Sequence, residues 1–560
     1  MTGRVHKTRP VGKDLVVLMK LLRFLRILSV FAAAALLSAP AGGQIPRSKF
    51  APAVAFNPGP VPFSLAVADL RRSGNLDLVV ANFCQTVDQH GNCTIGEGGV
   101  SVLLGNGDGT FQPAVMYGTG ADSAWSVAVG DVNGDGIPDV VVANWCGLAA
   151  GDCYLQSGAV SVLLGNGDGT FQPPVVYGSG GYDAYSVVLA DLTGNGRMDI
   201  AVTNTYCDRT FFDGGVSVLL NNGDGTFDPA VSYDSGSRIA PSVAIGDVNR
   251  DGFPDLVVAD YMDDWFDTGE GAIAVLLGNG DGTFQPAVIY DSGGRFAYSI
   301  ALGDLRGKGI LDAVVANRWS NDPEQTRLRG EVSVLPGMGN GTFQPAVAYL
   351  ASGMDYAGYP AIGPGINSVA VADVNGDGIP DAAVVEWCQL IVHYTDCVGE
   401  RELNVLLGNG DGTFRKASVY NSGGFIGSAL AVADVNNDGR PDLIVANEDA
   451  SDQDFRAGSV AVLLNETYYG SKTALASSLN PSHVSQSVTF TATITPAVPN
   501  GETVTFYAGA TPLGTGTTTN GIATLTASFS KTGKYTIKAR YPGDAFRKPS
   551  SGTVKQVVNP

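Results

Sequence analysis

Residues 126–145, SVAVGDVNGDGIPDVVVANW, decide the fold of this chain. An apolar run leads into an acidic loop rich in Asp, Asn and Gly, and a second apolar run follows. This pattern occurs seven times at steps of 56 to 69 residues, and the first loop aspartates are Asp69, Asp131, Asp191, Asp247, Asp304, Asp373 and Asp434. Such a repeat indicates one structural unit that has been copied around a whole domain.

A second repeated element follows each loop, as in VSVLLGNGDGTFQPAVMY at residues 100–117. The order strand, Asn-Gly-Asp-Gly turn, strand predicts a tight hairpin, so that one unit holds four short strands. Six hairpins are whole, and the seventh is divided between residues 50–56 and residues 461–465. Pairing these two ends would close an all-β ring and remove the open sheet edges that a propeller would otherwise expose.

The acidic loops have the composition of a calcium site. In the copy that starts at Asp131, oxygen-bearing side chains occupy loop positions 1, 3, 5 and 9, and Gly136 occupies position 6. This alternation turns several oxygens toward one point, which suits a hard cation such as Ca²⁺. Position 12 is Val142 instead of the glutamate of an EF-hand, and the flanks are β-branched, so the loop is predicted to join two strands.

Four loops carry the full pattern, and a fifth keeps oxygen donors of lower charge. The four full loops, with position 7 included for its backbone carbonyl, contribute Asp131, Asn133, Asp135, Ile137, Asp139, Asp247, Asn249, Asp251, Phe253, Asp255, Asp373, Asn375, Asp377, Ile379, Asp381, Asp434, Asn436, Asp438, Arg440 and Asp442. The fifth contributes Asp191, Thr193, Asn195, Arg197 and Asp199. We therefore expect about four to five structural Ca²⁺ sites. The alternative, seven solvated turns, is less favoured because three converging carboxylates repel one another without a cation.

The two remaining loops, which start at Asp69 and Asp304, place Arg71 and Arg306 at position 3. A positive side chain takes the place of an oxygen donor in both, so we expect no metal there.

The amino terminus has the pattern of an export signal. A basic stretch ends at Arg26, residues 27–37 are apolar, and Ala39-Pro40-Ala41 is typical of a cleavage site, so residues 1–41 are predicted to be a signal peptide, with Met19 as the expected true start. The apolar run is too short to span a bilayer comfortably, and no transmembrane anchor is expected after cleavage. The protein is therefore predicted to be secreted or displayed at the cell surface, with residues 42–49 as a short linker.

Charge and cysteine content agree with that location. The formal net charge is −20, which disfavours nucleic acid and anionic membrane surfaces as partners. Six of the seven cysteines lie in close pairs that predict local disulfides, namely Cys84 with Cys93, Cys146 with Cys153, and Cys388 with Cys397. Cys207 has no such neighbour. It is either an inert buried cysteine, which we favour, or a site of intermolecular pairing.

Aromatic residues recur 14 or 15 positions after the loop aspartates and are predicted to form a circle on one face: Phe83, Trp145, Tyr206, Tyr261, Trp319 and Trp387. They either pack between blades at the strand ends, which is the simpler interpretation, or form a ligand-binding face. The four histidines lie far apart in the sequence and predict neither a catalytic triad nor a zinc site, and no catalytic residue is assigned.

From about Ser471 the acidic loops disappear and alternating strands such as SVTFTATITP follow, with turns at sandwich-like intervals. Residues 466–470 are the expected linker, and residues 471–560 resemble a bacterial Ig-like domain through GETVTFYAGATPLGTG and ARYPGD.

The repeated units over residues 50–465 resemble the FG-GAP, or VCBS, repeats of the integrin α-subunit head. That resemblance implies a seven-bladed β-propeller with calcium loops of the form DxDxDGxxD, followed here by a small Ig-like β-sandwich. It also implies a non-catalytic extracellular module for binding or adhesion to a protein or glycan. The alternatives are a propeller-type polysaccharide lyase or hydrolase and a structural component of the cell envelope.

Overall fold

The computed structural model describes residues 48–87, 93, 98–147, 157–206, 214–236, 238–261, 269–321, 327–328, 330–351, 361–362, 365–387, 391–392, 396–397, 402–424, 426–448, 458–495, 498 and 500–560. The predicted signal peptide, Cys153, Cys207 and Cys388 lie outside these residues. Residues Pro46–Pro560 form one compact unit. The described residues form strands and turns and contain no helix, and within them no helix could cross a membrane.

The strands of the repeat region are short and lie on either side of the acidic loops and hairpin turns. In chain order they are β1 (Val54–Phe56), β2 (Pro62–Ala68), β3 (Asp77–Asn82), β4 (Gly99–Leu103), β5 (Val115–Gly118), β6 (Asp122–Gly130), β7 (Asp139–Cys146), β8 (Ser157–Leu163), β9 (Val175–Ala190), β10 (Asp199–Tyr206), β11 (Gly215–Leu219), β12 (Val231–Asp234), β13 (Ile239–Gly246), β14 (Asp255–Tyr261), β15 (Glu270–Leu276), β16 (Val288–Gly303), β17 (Asp312–Ser320), β18 (Arg327–Leu328), β19 (Glu331–Leu335), β20 (Val347–Leu350), β21 (Ala361–Ile362), β22 (Gly365–Ala372), β23 (Asp381–Trp387), β24 (Ile391–Val392), β25 (Asp396–Cys397), β26 (Glu402–Leu406), β27 (Ser418–Asn421), β28 (Gly427–Ala433), β29 (Asp442–Asn447) and β30 (Ser459–Leu463).

Twenty-six of these strands form seven four-stranded antiparallel blades, while β18 pairs with β21 and β24 pairs with β25 in two separate two-stranded sheets. Blade 1 is β2-β3-β4-β5, and blade 6 is β22-β23-β26-β27. Blades 2 and 3 share one continuous sheet, because the 16-residue strand β9 runs from the outer edge of blade 2 into the inner edge of blade 3. Strand β16 joins blades 4 and 5 in the same way. The seven-bladed propeller that the repeat predicted is confirmed.

Blade 7 closes the ring with strands from both ends of the repeat region. Its order is β1-β30-β29-β28, and β1 pairs antiparallel with β30 in a register that places Val54 opposite Val462. A further bridge joins Phe50 to Asn465. The two half-hairpins recognised in the sequence therefore complete each other, and a strand edge that would otherwise be open is paired.

The hydrophobic core lies between neighbouring blades. The second strand of each blade is a run of apolar residues because both of its faces are covered, and Val140, Val141 and Val142 are fully buried. At the closing joint, Leu78 and Val80 of blade 1 pack with Val460 and Val462 of blade 7. The closing joint is thus packed by apolar side chains in the same way as the other contacts between neighbouring blades.

The carboxyl-terminal domain is a two-sheet sandwich. Its strands are β31 (Lys472–Ser477), β32 (Ser482–His483), β33 (Val488–Thr495), β34 (Thr503–Ala508), β35 (Thr511–Thr517), β36 (Ile522–Ala527), β37 (Gly533–Tyr541) and β38 (Ser550–Asn559). The sheet β31-β33-β36 faces the sheet β32-β38-β37-β34-β35. Alternate residues point inward, and Phe490, Phe506 and Tyr541 are fully buried between the sheets. The predicted Ig-like sandwich is confirmed.

Candidate metal loops and ligand face

The acidic loops join the first and second strands of each blade, and backbone hydrogen bonds fix their leading aspartate. In blade 2 the carboxylate of Asp131 accepts the N–H of Gly134 at 2.7 Å and that of Gly136 at 2.6 Å. Both glycines have positive φ, +76° and +79°, which an L side chain adopts only with strain. The repeated glycines are therefore required for the bend that the sequence predicted.

The aspartates at positions 5 and 9 of this loop are held in the same manner. Asp139 accepts the N–H groups of Val132 at 2.9 Å and Gly165 at 2.7 Å, and Asp135 accepts that of Ile137 at 2.7 Å. Burial raises the pKa of Asp139, and the charges of Asp135 and Asp131 raise it further. Each carboxylate oxygen carries two lone pairs, so these hydrogen bonds leave acceptor capacity for a cation.

The other complete loops repeat this arrangement. The leading carboxylate accepts the N–H of the position-6 glycine in blades 4, 6 and 7, at 2.9, 2.7 and 2.6 Å. Burial, together with the neighbouring carboxylates, raises the pKa of Asp381 to about 8 and that of Asp442 to about 6. Burial also raises the pKa of Asp255. The loop of Asp191 has the same bond to Gly196 at 2.7 Å.

Three carboxylates and an amide oxygen per loop, with like-charge repulsion among them, fit a hard divalent cation by donor chemistry. Among the described residues, no three His, Cys, Asp or Glu side chains lie close enough together to hold a metal ion as they are placed. The predicted loop residues thus lie together within single turns of the chain. Calcium binding by these loops stays a prediction.

Blades 1 and 5 contain a guanidinium where the other loops have an oxygen donor. Arg306 donates to Asp312 through Nη2 at 2.6 Å and Nε at 3.2 Å, and Nη2 also donates to the carbonyl of Gly337 at 2.6 Å. Arg71 makes the equivalent bonds to Asp77 and Gly105. The positive charge of the arginine side chain thus balances the position-9 carboxylate. This gives a structural reason for the prediction that these two loops bind no metal.

The predicted circle of aromatic residues lies at the opposite ends of the second strands. Phe83, Trp145, Tyr261 and Trp319 are half-buried there. Tyr206 and Trp387 end strands β10 and β23, but their side chains lie outside the described set. The disulfide between Cys84 and Cys93 is present in this region, with a Cα–Cα distance of 5.8 Å, and Cys146 is also disulfide-bonded.

A second aromatic set, which the sequence analysis missed, lies closer to the ring axis: Phe63, Trp125, Tyr185 and Tyr298. Trp125 stacks on Phe63 with ring centres 4.2 Å apart, and Trp145 meets Trp125 edge-on at 4.9 Å. The signal was available, because each of these residues stands six positions before a loop aspartate. Ring contacts join five of these residues into one aromatic cluster, namely Phe63, Phe83, Trp125, Trp145 and Tyr185. Tyr261 and Trp319 each contact Phe296 instead.

The inner set lines a cavity of about 300 Å³ at the mouth of the central channel. Phe63, Trp125 and Tyr185 of blades 1 to 3 form its aromatic wall. Across the axis the lining is polar, with Arg318, Asn367 and Glu448 of blades 5 to 7. The guanidinium of Arg318 lies 3.7 Å from the ring centre of Tyr298 and donates to Asn367 at 3.2 Å. We call this cavity the channel mouth.

A ring of serines also lines the channel mouth. They stand five positions before the loop aspartates in six of the seven blades. Ser64 Oγ accepts the N–H of Val127 in the next blade at 3.3 Å, and Ser368 Oγ accepts that of Leu430 at 3.2 Å. These bonds link the inner strands of adjacent blades, so the walls of the mouth are rigidly supported.

Comparison with known proteins gives animal integrins among the relatives. Integrin alpha pat-2 of Caenorhabditis elegans is 27% identical over 266 residues, which is 43% of this chain and 21% of that protein. Integrin alpha-PS5 of Drosophila melanogaster is 30% identical over 154 residues, which is 24% of this chain and 15% of that protein. The chain therefore spans about a fifth or less of the length of these relatives.

Among solved structures, the V. cholerae biofilm matrix protein Bap1 is 12% identical, with a TM-score of 0.35 over 75% of this chain and 91% of that chain. The bacterial Ig-like domain (group 3) matches residues 475–559. The FG-GAP-like repeat matches residues 93–142, 148–202, 210–258, 307–384 and 392–445, more than half of the chain. With these matches and its seven blades, the chain belongs to the FG-GAP-like repeat family.

Proposed function

We propose that this chain is a secreted, calcium-stabilised propeller that acts as a non-catalytic binding or adhesion module for an extracellular glycan or protein. The observation that carries the proposal is the channel mouth, where an aromatic wall faces Arg318, Asn367 and Glu448. Binding sites commonly combine a concave, largely apolar surface with a few well-placed polar groups.

The two walls of the mouth complement an amphipathic ligand. Trp125 and Phe63 stack on each other and are half-buried, so their remaining surface is what would suit the apolar face of a sugar ring or an apolar side chain. Arg318 supplies donors, Glu448 supplies acceptors, and Asn367 supplies both. The polar wall would orient the ligand, and the aromatic wall would supply most of the buried area.

Calcium has a structural part in this proposal. The residues that would hold it are the loop positions of blades 2, 4, 6 and 7, with the loop of Asp191 as a fifth. When bound, the cation would neutralise the facing carboxylates of each loop. Extracellular calcium modules have dissociation constants of about 0.1 to 1 mM, so the sites would be loaded outside a cell.

Export is supported by two features. The disulfide between Cys84 and Cys93 is of a kind that persists in oxidising compartments. The second feature is the export signal predicted over residues 1–41. Mass spectrometry of the protein recovered from culture medium would test export and cleavage of residues 1–41. A full-length product found only in the cytoplasm would contradict export.

The enzyme alternative has less support. Glu386 and Glu402 are two carboxylates that interact directly, and each is about 5% exposed inside blade 6. Asn404 donates to Glu386 at 2.7 Å, so the pair has a local structural partner and does not face a polymer-sized substrate. Incubation with a polysaccharide panel tests this alternative, since release of unsaturated or reducing sugar would favour catalysis.

A combined glycan and protein array tests the proposed function. We expect a signal that is lost in Trp125→Leu and in Glu448→Gln, while the melting temperature of each variant confirms folding. Tyr507→Leu, in the Ig-like domain and remote from the channel mouth, is the control and should retain the signal. If both channel-mouth variants still bind, the ligand site lies elsewhere on the protein. A structural envelope component would instead give no array signal and would co-purify with surface polymer.

A further inference from the structure

The Ig-like domain contacts the acidic loop of blade 6 directly. Tyr469 donates its hydroxyl hydrogen to the carbonyl of Asn375, and Arg547 donates through Nη2 to the carbonyl of Gly376. These carbonyls belong to loop positions 3 and 4. The ring of Phe546 covers Gly376 so closely that a Cβ added there would lie 2.3 Å from it. We call Tyr469, Phe546 and Arg547 the docking triad.

The contact changes the environment of this loop relative to its counterparts. Asn375 and Gly376 are buried, whereas Asn133 and Gly134 at the same positions in blade 2 are half-buried and exposed. The Nδ2 atom of Asn375 is buried without a hydrogen-bond partner among the described residues.

The docking triad is itself rigidly held. Arg547 is only 2% exposed, and its Nη1 donates to Asp544 at 2.9 Å. Tyr541 donates its hydroxyl hydrogen to the same carboxylate at 2.6 Å. The backbone of Tyr469 donates to the carbonyl of Phe546 and accepts from the N–H of Lys548, both at 2.8 Å. The linker and the 544–548 turn therefore meet the loop as one element.

A second path ties the residue before the linker to the loops of blades 6 and 7. Asn465 donates through its side chain to the carbonyl of Val374 at 2.8 Å, and its N–H reaches Asp442 at 2.7 Å. Arg440 of the blade 7 loop donates to the carbonyl of Ala545 at 3.3 Å. The residue before the linker and the 544–548 turn of the Ig-like domain thus both contact candidate metal loops.

We propose that the docking triad makes the blade 6 loop a site where calcium binding and attachment of the Ig-like domain are coupled, an inference that rests on the calcium part of the proposed function. The triad holds the carbonyls of positions 3 and 4 in the bent conformation, which removes part of the ordering cost that a cation would otherwise meet. Coupling of this kind is reciprocal, so a bound cation stabilises the docked domain by the same factor.

Hydrogen exchange measured by mass spectrometry tests the coupling in the full chain. With millimolar calcium, we expect peptides covering residues 466–470 and 544–548 to exchange about tenfold faster in Asp377→Asn than in the wild type. Asp135→Asn removes the same carboxylate from the loop of blade 2, which the docking triad does not touch. This matched control should leave both peptides unchanged. Equal effects of the two substitutions, or none, would overturn the coupling.

The reciprocal experiment measures calcium by titration calorimetry. Tyr469→Phe removes one hydroxyl and Arg547→Ala removes the buried cation, and both are expected to weaken one site about tenfold while the other sites keep their affinity. Tyr469→Phe keeps the experiment decisive if Arg547→Ala fails to fold. Calcium binding with an unchanged set of affinities would contradict this inference alone. If the wild type bound no calcium, the calcium part of the proposed function would fail together with the coupling, whereas the channel-mouth binding would remain.

Discussion

Arg71 clamps Asp77 with two hydrogen bonds, Nη2 to Oδ1 at 2.7 Å and Nε to Oδ2 at 3.3 Å. Asp77 is fully buried, and Arg71 also donates to the carbonyl of Gly105 at 2.7 Å. The guanidinium therefore connects the loop, the second strand and the following hairpin of blade 1. In blade 2 the same three parts meet around Asp139, and we expect calcium there in place of the arginine.

Removing the guanidinium tests this equivalence. Arg71→Asn leaves the buried Asp77 without its charge partner, and breaking such a pair costs about 3 kcal/mol of unfolding free energy. The new side chain restores the oxygen donor found at position 3 of blade 2, so we expect 5 mM calcium, about five times the upper dissociation constant for extracellular modules, to recover part of the loss. Urea denaturation with and without calcium measures both effects. Full stability without added metal would refute the role assigned to Arg71.

Chelation is expected to lower the melting temperature of the protein. A site loaded at a hundred times its dissociation constant contributes about 2.7 kcal/mol, and chelator removes that contribution. Asp135→Ala and Asp377→Ala should each lose part of the chelator effect. Differential scanning fluorimetry in calcium and in excess chelator measures this, and Glu270→Gln, an exposed carboxylate on another strand, is the control. An identical melting curve in both buffers would exclude metal stabilisation.

A buried glutamate makes stability depend on pH. Burial raises the pKa of Glu331 from 4.5 to about 7, so the folded protein holds a proton there that the unfolded chain releases. The folded state therefore binds more protons between pH 4.5 and 7, and the unfolding free energy falls as pH rises through this window, by up to about 3 kcal/mol. Glu331→Gln should flatten that slope.

Urea denaturation at pH 5, 6, 7 and 8 provides the measurement, again with Glu270→Gln as the control. A slope that is the same in the wild type and in Glu331→Gln would mean that Glu331 does not carry the proton.

Alanine substitutions of two glycines at loop position 4 distinguish the effect of backbone strain from the effect of contact with the Ig-like domain. Gly134 and Gly376 have φ of +76° and +70°, so alanine strains the backbone similarly in both, by about 1 kcal/mol. A Cβ at Gly134 meets nothing within 4 Å, whereas one at Gly376 lies 2.3 Å from Phe546. Gly376→Ala should therefore increase protease cleavage within residues 466–470, and Gly134→Ala should not. Equal cleavage would show that Phe546 does not press on the loop in solution.

The sequence was sufficient for the blades and for the position of each loop. Apolar runs separated by Asn-Gly-Asp-Gly turns define strands through contacts that are local in the chain, and the seven loop aspartates mark the repeat. The pairing of Val54 with Val462 could also be predicted, because each end of the repeat region lacks the half-hairpin that the other supplies.

The channel mouth could be predicted only in part. The outer aromatic residues follow from their offset after the loop aspartates, whereas Trp125 and Phe63 lie within the inner strands, where an aromatic side chain simply continues the apolar run. Arg318 and Glu448 stand 14 positions after their loop aspartates, at the offset that aromatic residues occupy in other blades, so their position was periodic although their charge was not. Their meeting across the axis depends on how the inner strands are arranged around the channel.

The sequence by itself determined the number of blades, the closure of the ring and the residues of every acidic loop, because each follows from a pattern that short stretches of chain satisfy locally. Only the tertiary structure decided that Trp125 stacks on Phe63 and that Arg547 reaches the carbonyl of Gly376. The latter two residues are 171 positions apart. Contacts at that separation depend on the packing of whole domains, and no local pattern encodes them.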